Sequence, residues 1–283
     1  MQKVILLTVT HFNNTPEVER FLHHVTQLEL PGDWRLEVVI TDNSGNLDLS
    51  RKSGGIVSVC RPESNLGYLR GCSYALETWM QKHNTLPEWI FVSNTDVEFD
   101  KEIFTKLTVF PLPERVCCLA PDIILKSGLH QNPHKIYRPG RFEMYSYTLI
   151  YRSRHLTAFL DNLCNIISIV SRFIRMKNRE ISRPEQYKSQ YFELIYAPHG
   201  SCIILHKTFL EHGGKIDYKG FMYGEEIYIG EEALKQNFKI LWVPDLKVTH
   251  FKKATTGMVC QTQKVRWRLE ISKILWNEFF SKR

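Results

Sequence analysis

Short runs of apolar, β-branched residues alternate with stretches of helical periodicity through the first 125 residues of the chain. Runs of four to eight apolar residues bounded by turns are typical of buried strands, and apolar residues at three- and four-residue spacing are typical of helices. The pattern predicts strands at 4–9, 36–41, 56–60, 89–93 and 116–120, and helices at 15–28, 70–84 and 101–108. This alternation predicts an α/β fold with a mainly parallel sheet flanked by helices.

Polar residues follow four of these predicted strands at their carboxyl ends, where ligands bind in open parallel sheets. Asp42 is suited to accept hydrogen bonds from a base or a ribose, and Gly67 would let the backbone approach a phosphate. Asp96 is suited to bind a divalent cation, Mg²⁺ or Mn²⁺, that also holds a diphosphate. The candidate nucleotide-binding residues are Thr10, Asp42, Asn65, Gly67, Asn94 and Asp96.

The second half of the chain adds two further chemical candidates. Glu225 and Glu226 stand at the start of a helix predicted over 225–236. Acids at this position favour the helix dipole, but neighbouring carboxylates also raise each other's pKa, which suits a general base. The pattern also predicts a helix from about residue 207, a strand at 239–243 and a last apolar run that ends in His250, a potential metal ligand.

The positive charge of the chain is concentrated in one segment. The 283 residues carry a net charge of +7 with 43% apolar residues, a composition that excludes disordered and collagen-like chains. Residues 135–190 alone contain eleven Lys or Arg and four Asp or Glu, so the rest of the chain is neutral. Apolar residues recur at helical spacing from Leu156 to Ile174, and such a stripe binds either an anionic membrane surface or its own domain.

The location of the protein follows from what the sequence lacks. No apolar run approaches the length of a membrane span, and seven cysteines without metal-site spacing favour a reduced compartment. We therefore expect a cytoplasmic protein, peripheral on the inner face of the cell membrane. No recognised nucleic-acid-binding module accompanies the basic segment, so no nucleic-acid partner is expected.

These motifs, in this order, resemble the family 2 glycosyltransferases of the GT-A fold, particularly the bacterial, rhamnosyltransferase-like branch that extends cell-surface polysaccharides. The resemblance covers residues 3–125 and 196–252. It implies that Thr10, Asp42, Asn65 and Gly67 bind the nucleotide sugar, and that the Asn-x-Asp motif of Asn94 and Asp96 binds the metal and the diphosphate. The stretch from Gly214 to Glu226 resembles the family's acidic motif, which implies that Glu226 is the base beside Glu225, and His250 is implied as a further metal ligand.

The resemblance also implies a domain plan. Residues 1–125 would form the nucleotide-sugar-binding half and 196–252 the acceptor and catalytic half of one GT-A domain. Residues 126–195 would form a basic helical insertion for acceptor or membrane contact, followed by a C-terminal amphipathic helix over 253–283.

The implied activity is an inverting transfer of a sugar from a nucleoside-diphosphate sugar to a hydroxyl of a lipid-linked saccharide acceptor. Two alternatives stay open. Nucleotidyltransferases use similar sheets and metal-binding carboxylates. A non-catalytic nucleotide-sugar-binding subunit is also compatible, since Asn94 and Glu226 replace the family's usual aspartates. The sequence leaves the donor sugar open, with dTDP-rhamnose and UDP-hexoses among the candidates.

Overall fold

The computed structural model describes residues 2–49, 55–153, 155–159, 193–251 and 259–281. The chain divides into two compact units, of which the first comprises residues 1–138 and 192–259 and the second residues 139–191 and 260–283. The second unit therefore begins at residue 139, whereas the predicted insertion begins at 126.

The first unit is built on one nine-stranded sheet. Its strands are β1 Lys3–His11, β2 Trp34–Asp42, β3 Val57–Cys60, β4 Trp89–Ser93, β5 Val97–Phe99, β6 Val116–Leu125, β7 Glu193–Ile195, β8 Cys202–His206 and β9 Lys239–His250. They follow the order β3-β2-β1-β4-β8-β6-β9-β5, and β7 also pairs with β9.

The helices agree closely with the predicted ones in the first unit. Their bounds are α1 Thr15–Val25, α2 Leu69–His83, α3 Ile103–Thr108, α5 Thr208–Glu211 and α6 Glu225–Lys235. Pro16 stands in the first turn of α1, where its missing N–H costs nothing, and Glu17 in the same turn favours the helix dipole. Asn84 ends α2 in the left-handed conformation, as is common for helix C-caps.

Helices cover the sheet, as the packing of β1 shows. Ile5, Leu7 and Val9 are fully buried in a core that includes Phe21 and Val25 of α1. Helix α2 packs on β1 and β2 as well. There Thr41 donates a hydrogen bond from its hydroxyl to the carbonyl of Gly71 at 2.7 Å. Because both faces of the central strands are covered, these strands read as continuous apolar runs in the sequence.

The sheet is mixed, with parallel pairs among β1 to β4 and between β6 and β9. Strand β8 enters between β4 and β6 and pairs antiparallel with both. Strand β8 was not predicted, although its run Cys202–His206 is as long as the predicted strand at 89–93 and four of its five residues are apolar. The runs predicted at 239–243 and 248–250 are one strand, β9, whose pairing with β6 shifts register between Pro121 and Asp122.

The described part of the second unit is helical. It contains α4, Arg141–Ile150, and α7, Gln261–Leu275, which continues into a π-helical turn over Trp276–Phe280. The Arg141 guanidinium donates hydrogen bonds to the carbonyls of Phe280 and Ser281 at 2.8 and 3.0 Å. Most of the predicted apolar stripe, from residue 160 to 174, lies outside the described residues. Among the helices that are described, none has the length and apolar character needed to cross a bilayer.

Candidate active site

A buried hydrogen bond joins the carboxyl ends of the first two strands. His11 at the end of β1 pairs in register with Asp42 at the end of β2, and His11 Nδ1 lies 2.9 Å from Asp42 Oδ1. Both side chains are fully buried. His11 was not among the predicted site residues, although its place among the polar residues that end the first strand was a signal for it.

The Asp42 carboxylate organises the turn that follows β2. It accepts hydrogen bonds from the backbone N–H groups of Ser44, Gly45 and Leu47, and from the Arg61 guanidinium at 3.2 Å. Burial raises the pKa of Asp42, but the hydrogen bonds, above all that with His11, outweigh burial and hold the pKa well below its usual range. Asp42 is therefore ionised, with both of its oxygen atoms bound by the protein.

The segment 65–67 is fixed beside this turn. The side chain of Asn43 accepts a hydrogen bond from the N–H of Leu66 and donates one to the carbonyl of Gly67, both at 3.0 Å. The Asn65 side chain accepts from the N–H of Gly67 at 2.9 Å. Gly67 has a φ of +78°, and a Cβ at this position would lie only 2.0 Å from the carbonyl oxygen of Phe221. Only glycine permits this approach, which brings residues 65–67 against the segment before α6.

Thr10, the first candidate of the sequence analysis, lies half-buried at the end of β1. Its Cγ2 methyl group would lie 2.6 Å from a Cβ added at Gly71, so it packs directly on the backbone of the first turn of α2. The structure thus brings Thr10, Asp42 and the segment 65–67 to one edge of the sheet.

Two polar atoms without hydrogen-bond partners face each other just before β5 and at the end of β9. Asp96 Oδ2 and His250 Nε2 are 3.3 Å apart, both side chains are more than nine-tenths buried, and neither atom has a hydrogen-bond partner. A buried carboxylate oxygen and imidazole nitrogen left unsatisfied are costly unless a ligand joins them. Strand β5 fixes the pair, because Val97, next to Asp96, pairs with His250.

This pair fits a divalent cation. Carboxylate oxygen and imidazole nitrogen bind such ions at about 2.1 Å, so adjacent ligands of one octahedral ion lie about 3 Å apart. Among the described residues no group of three or more His, Cys, Asp or Glu could hold a metal. Within the described residues, this pair therefore contributes two candidate ligands. Asn94, at the first motif position, is half-buried, and its backbone N–H donates to the carbonyl of Ser201 at 3.0 Å.

The adjacent acids Glu225 and Glu226 begin α6 after Gly224, and both approach Gly200. A Cβ at Gly200 would lie 3.0 Å from Glu225 Oε1 and 3.1 Å from Glu226 Oε1. Burial raises the pKa of Glu225 to about 8, and the negative charge of Glu226 adds to the shift. At neutral pH Glu225 is therefore largely protonated.

Tyr68 connects the acids to the donor side, and the sequence analysis did not single it out. It is buried, and its hydroxyl donates a hydrogen bond of 2.6 Å to the carbonyl of Gly200. Its backbone N–H donates to the carbonyl of Phe221 at 3.2 Å. Burial raises the pKa of the Tyr68 phenol well above its usual value. Residues 199–201 thus contact the two acids through Gly200 and the Asn94-x-Asp96 motif through Ser201.

The chain was compared with known proteins. No protein-family model matches it, and no curated protein matches it in sequence. Among solved structures, it is similar to GalNAc-T7 crystallised with UDP, GalNAc and Mn²⁺, with 15% identity and a TM-score of 0.57 over 99% of this chain. It is also similar to residues 1–349 of S. aureus TarS, with 12% identity and a TM-score of 0.55 over 99% of this chain and 74% of that one.

A second TarS structure, in complex with UDP-GlcNAc, matches 96% of the chain with a TM-score of 0.52 and 13% identity. The chain has the GT-A fold. The predicted fold class is thereby confirmed. This chain spans about half the length of the GalNAc-T7 structure, 49%, and 66% of the TarS complex, and at these identities the likeness concerns the GT-A fold alone.

Proposed function

We propose that the protein is a metal-dependent glycosyltransferase that uses a nucleoside-diphosphate sugar as its donor. The observation that carries the proposal is the buried pair of unsatisfied atoms, Asp96 Oδ2 and His250 Nε2, 3.3 Å apart at the strand ends of a GT-A fold. Asp96 and His250 would hold the cation, which when bound would neutralise the negative charge of a diphosphate. The neighbours crystallised with UDP or UDP-GlcNAc support this donor class.

The donor would lie along the edge formed by residues 10, 42, 65–67, 94 and 96. Because the oxygen atoms of Asp42 are bound by the protein, we propose that Asp42 acts mainly by fixing the turn over 42–47. The backbone of that turn and the Arg61 side chain, which is half exposed, would then face the base. Asn65 and Gly67 would position the sugar between the turn and the segment before α6.

Transfer would be a direct displacement with inversion. Glu226 takes the proton of the acceptor hydroxyl as the oxygen of that hydroxyl bonds to the anomeric carbon. The bond from the anomeric carbon to the phosphate oxygen breaks, and the nucleoside diphosphate leaves with the bonding electron pair. Glu226 is the second acid of the pair, the position at which the resemblance implies the base, and the raised pKa of Glu225 leaves that neighbour largely protonated near pH 7.

We further propose that the acceptor is a lipid-linked saccharide of cell-surface polysaccharide synthesis at the inner face of the cell membrane. Two features support this proposal: the resemblance to the rhamnosyltransferase-like branch, and the net charge of +7 within residues 135–190. Anionic headgroups attract such a segment at low ionic strength.

A nucleotide-sugar panel tests the proposed activity. The full chain is incubated with Mn²⁺ or Mg²⁺ and UDP-, GDP- and dTDP-sugars, dTDP-rhamnose included, and release of nucleoside diphosphate is measured. We expect one donor to be cleaved slowly, and only with metal. Release of pyrophosphate from a nucleoside triphosphate and a sugar 1-phosphate would instead identify a nucleotidyltransferase. Metal-dependent binding of a nucleotide sugar without cleavage, with acceptors present, would identify a binding subunit.

A further inference from the structure

All three polar groups of Tyr68 are bound, each by a different part of the first unit. Its backbone N–H donates to the carbonyl of Phe221, before α6, at 3.2 Å, and its own carbonyl accepts from the N–H of Cys72 in α2 at 3.0 Å. Its hydroxyl donates to the carbonyl of Gly200, before β8, at 2.6 Å, and the residue is buried. Because a carbonyl oxygen only accepts hydrogen bonds, the hydroxyl proton of Tyr68 is directed at Gly200.

Gly200 in turn lies against the two acids at the start of α6. A Cβ at this buried position would lie 3.0 Å from Glu225 Oε1 and 3.1 Å from Glu226 Oε1, so the acids occupy the space that a side chain would need. The N–H of Gly200 donates to Glu226 Oε1 at 3.4 Å. The backbone of Gly200 thus links the hydroxyl of Tyr68 to the carboxylate of Glu226.

The two residues that flank this glycine are anchored by other contacts. The N–H of His199 donates to the side chain of the buried Asn132 at 2.8 Å. The carbonyl of Ser201 accepts from the N–H of Asn94 at 3.0 Å. Loss of the Tyr68 hydroxyl would therefore release one carbonyl of a segment that stays anchored on both sides.

We propose that Tyr68 is a positioning residue for the general base: its hydroxyl holds Gly200 in the place from which the N–H of Gly200 orients the carboxylate of Glu226. Tyr68 directly follows the segment 65–67 that would position the donor sugar, so one residue sets the donor side and the base relative to each other. A displacement of about 1 Å at a reacting group can cost about 100-fold in rate. The inference rests on the proposed function, in which Glu226 takes the acceptor proton.

The first test compares Tyr68→Phe with wild type in the full chain, with Mn²⁺ and the donor identified by the nucleotide-sugar panel. We expect release of nucleoside diphosphate to slow about 10- to 100-fold, while the dissociation constant for the donor, measured by calorimetry, changes less than about two-fold. Tyr74→Phe is the matched control and should keep the turnover of wild type, because it removes a hydroxyl of α2 that donates instead to the carbonyl of Arg61 at 3.4 Å. Equal turnover of wild type and Tyr68→Phe would overturn the inference.

A double variant separates positioning of the base from a general loss of structure. If Tyr68 acts through Glu226, Tyr68→Phe should change turnover little in the Glu226→Gln background, where no base is left to orient. A merely structural defect would lower turnover by the same factor in both backgrounds. That result would overturn the role of Tyr68.

Two further measurements keep the inference testable if Tyr68→Phe does not fold. Gly200→Ala retains the hydroxyl of Tyr68 but places a methyl group against both acids, so it should lose turnover and keep its affinity for the donor. In the wild type, the amide of Gly200 should exchange slowly with solvent, because it donates to Glu226. Unchanged turnover of Gly200→Ala would overturn the inference, as would rapid exchange of the Gly200 amide.

The outcome for the wild type distinguishes this inference from the proposed function. A wild type that cleaves no nucleotide sugar would overturn the proposed function, and the role of Tyr68 with it. Metal-dependent cleavage that is equally fast in wild type and Tyr68→Phe would overturn the role of Tyr68 alone.

Discussion

At the scale of single residues, the two acids at the start of α6 have the same chemistry and different surroundings. The pKa of Glu225 is raised to about 8 by desolvation of the half-buried carboxyl and by the neighbouring Glu226. Glu226 lies close enough to Gly200 to accept its N–H at 3.4 Å. Because Glu225 is largely protonated near pH 7, it is poorly suited to take a proton there, and Glu226 is the acid proposed as the base.

Replacing each acid by its amide tests this assignment. Glu226→Gln should lose at least about 100-fold in turnover, because a positioned general base contributes about 10²- to 10⁴-fold to the rate. Its affinity for the donor should stay close to that of wild type. Glu225→Gln is the matched control and should retain most of the turnover, since it replaces an acid that is already largely neutral. If Glu225→Gln is the inactive variant, the base is Glu225 and the assignment is off by one residue.

The raised pKa of Glu225 also predicts how stability depends on pH. Between its usual value of 4.5 and about 8, the folded protein holds a proton that the unfolded chain has released. The contribution of Glu225 to the free energy of unfolding is thus largest below the usual pKa and falls as pH rises towards 8, by up to a few kcal/mol. Glu225→Gln should therefore melt like wild type at pH 4 and above wild type at pH 9. Melting temperatures that differ equally at all pH values would contradict this account.

At the scale of elements, the site depends on a close contact between two loops from distant parts of the chain. The loop over 65–67 precedes α2, and the segment at Phe221 precedes α6. They meet at Gly67, whose positive φ and lack of a side chain allow its backbone to reach the carbonyl of Phe221. The contact holds the donor side of the site against the catalytic acids.

Gly67→Ala tests that contact, and Gly128→Ala is its control. Both glycines have a φ of +78°, but a Cβ at Gly128 meets nothing within 4 Å. The left-handed conformation alone costs alanine about 1–2 kcal/mol, which both variants share. Gly67→Ala must also separate two backbones, so we expect a melting temperature at least about 5 °C lower than that of Gly128→Ala, together with loss of donor binding. Equal melting temperatures for Gly67→Ala and Gly128→Ala would show that the close contact between the two loops does not stabilise the protein, and would contradict this account.

At the scale of the whole molecule, the excess positive charge and the candidate site belong to different units of the chain. The excess of basic residues lies within 135–190, largely in the second unit, whereas the candidate site lies in the first. In the described part of the second unit, Phe142 and Phe159 are exposed apolar side chains, 85% and 63% accessible. Exposed aromatic side chains in a basic segment are typical of proteins that bind an anionic membrane surface.

Vesicle flotation tests whether the basic segment binds an anionic membrane surface. The full chain should float with vesicles rich in anionic lipid at low salt and detach as salt rises, because each basic residue near such a surface contributes about 1 kcal/mol that salt screens. Changing Arg172, Arg175 and Arg179 to Glu should reduce flotation further. A wild-type protein that stays at the bottom of the gradient at low salt would contradict membrane binding. The basic segment would then either pack on its own domain or bind a phosphate of the acceptor.

The sequence by itself determined the α/β alternation and the polar strand ends. Both are local properties: buried strands and amphipathic helices have distinct periods, and in a parallel sheet the carboxyl ends of strands share one edge. That rule alone brings Thr10 and Asp42 to one edge. Asp96 and His250 were found as residue types with a suitable chemistry, and their 3.3 Å separation depends on the pairing of β5 with β9.

Only the tertiary structure decided how these residues are supported. His11, Tyr68 and Gln131 form hydrogen bonds to partners 31, 132 and 119 positions away along the chain. Nothing in the local pattern of a sequence specifies a partner at such distances, since side-chain hydrogen bonds form only after the strands have paired. For the same reason the place of β8 between β4 and β6 could not be predicted: it is set by packing across the whole sheet and not by the five residues of the strand.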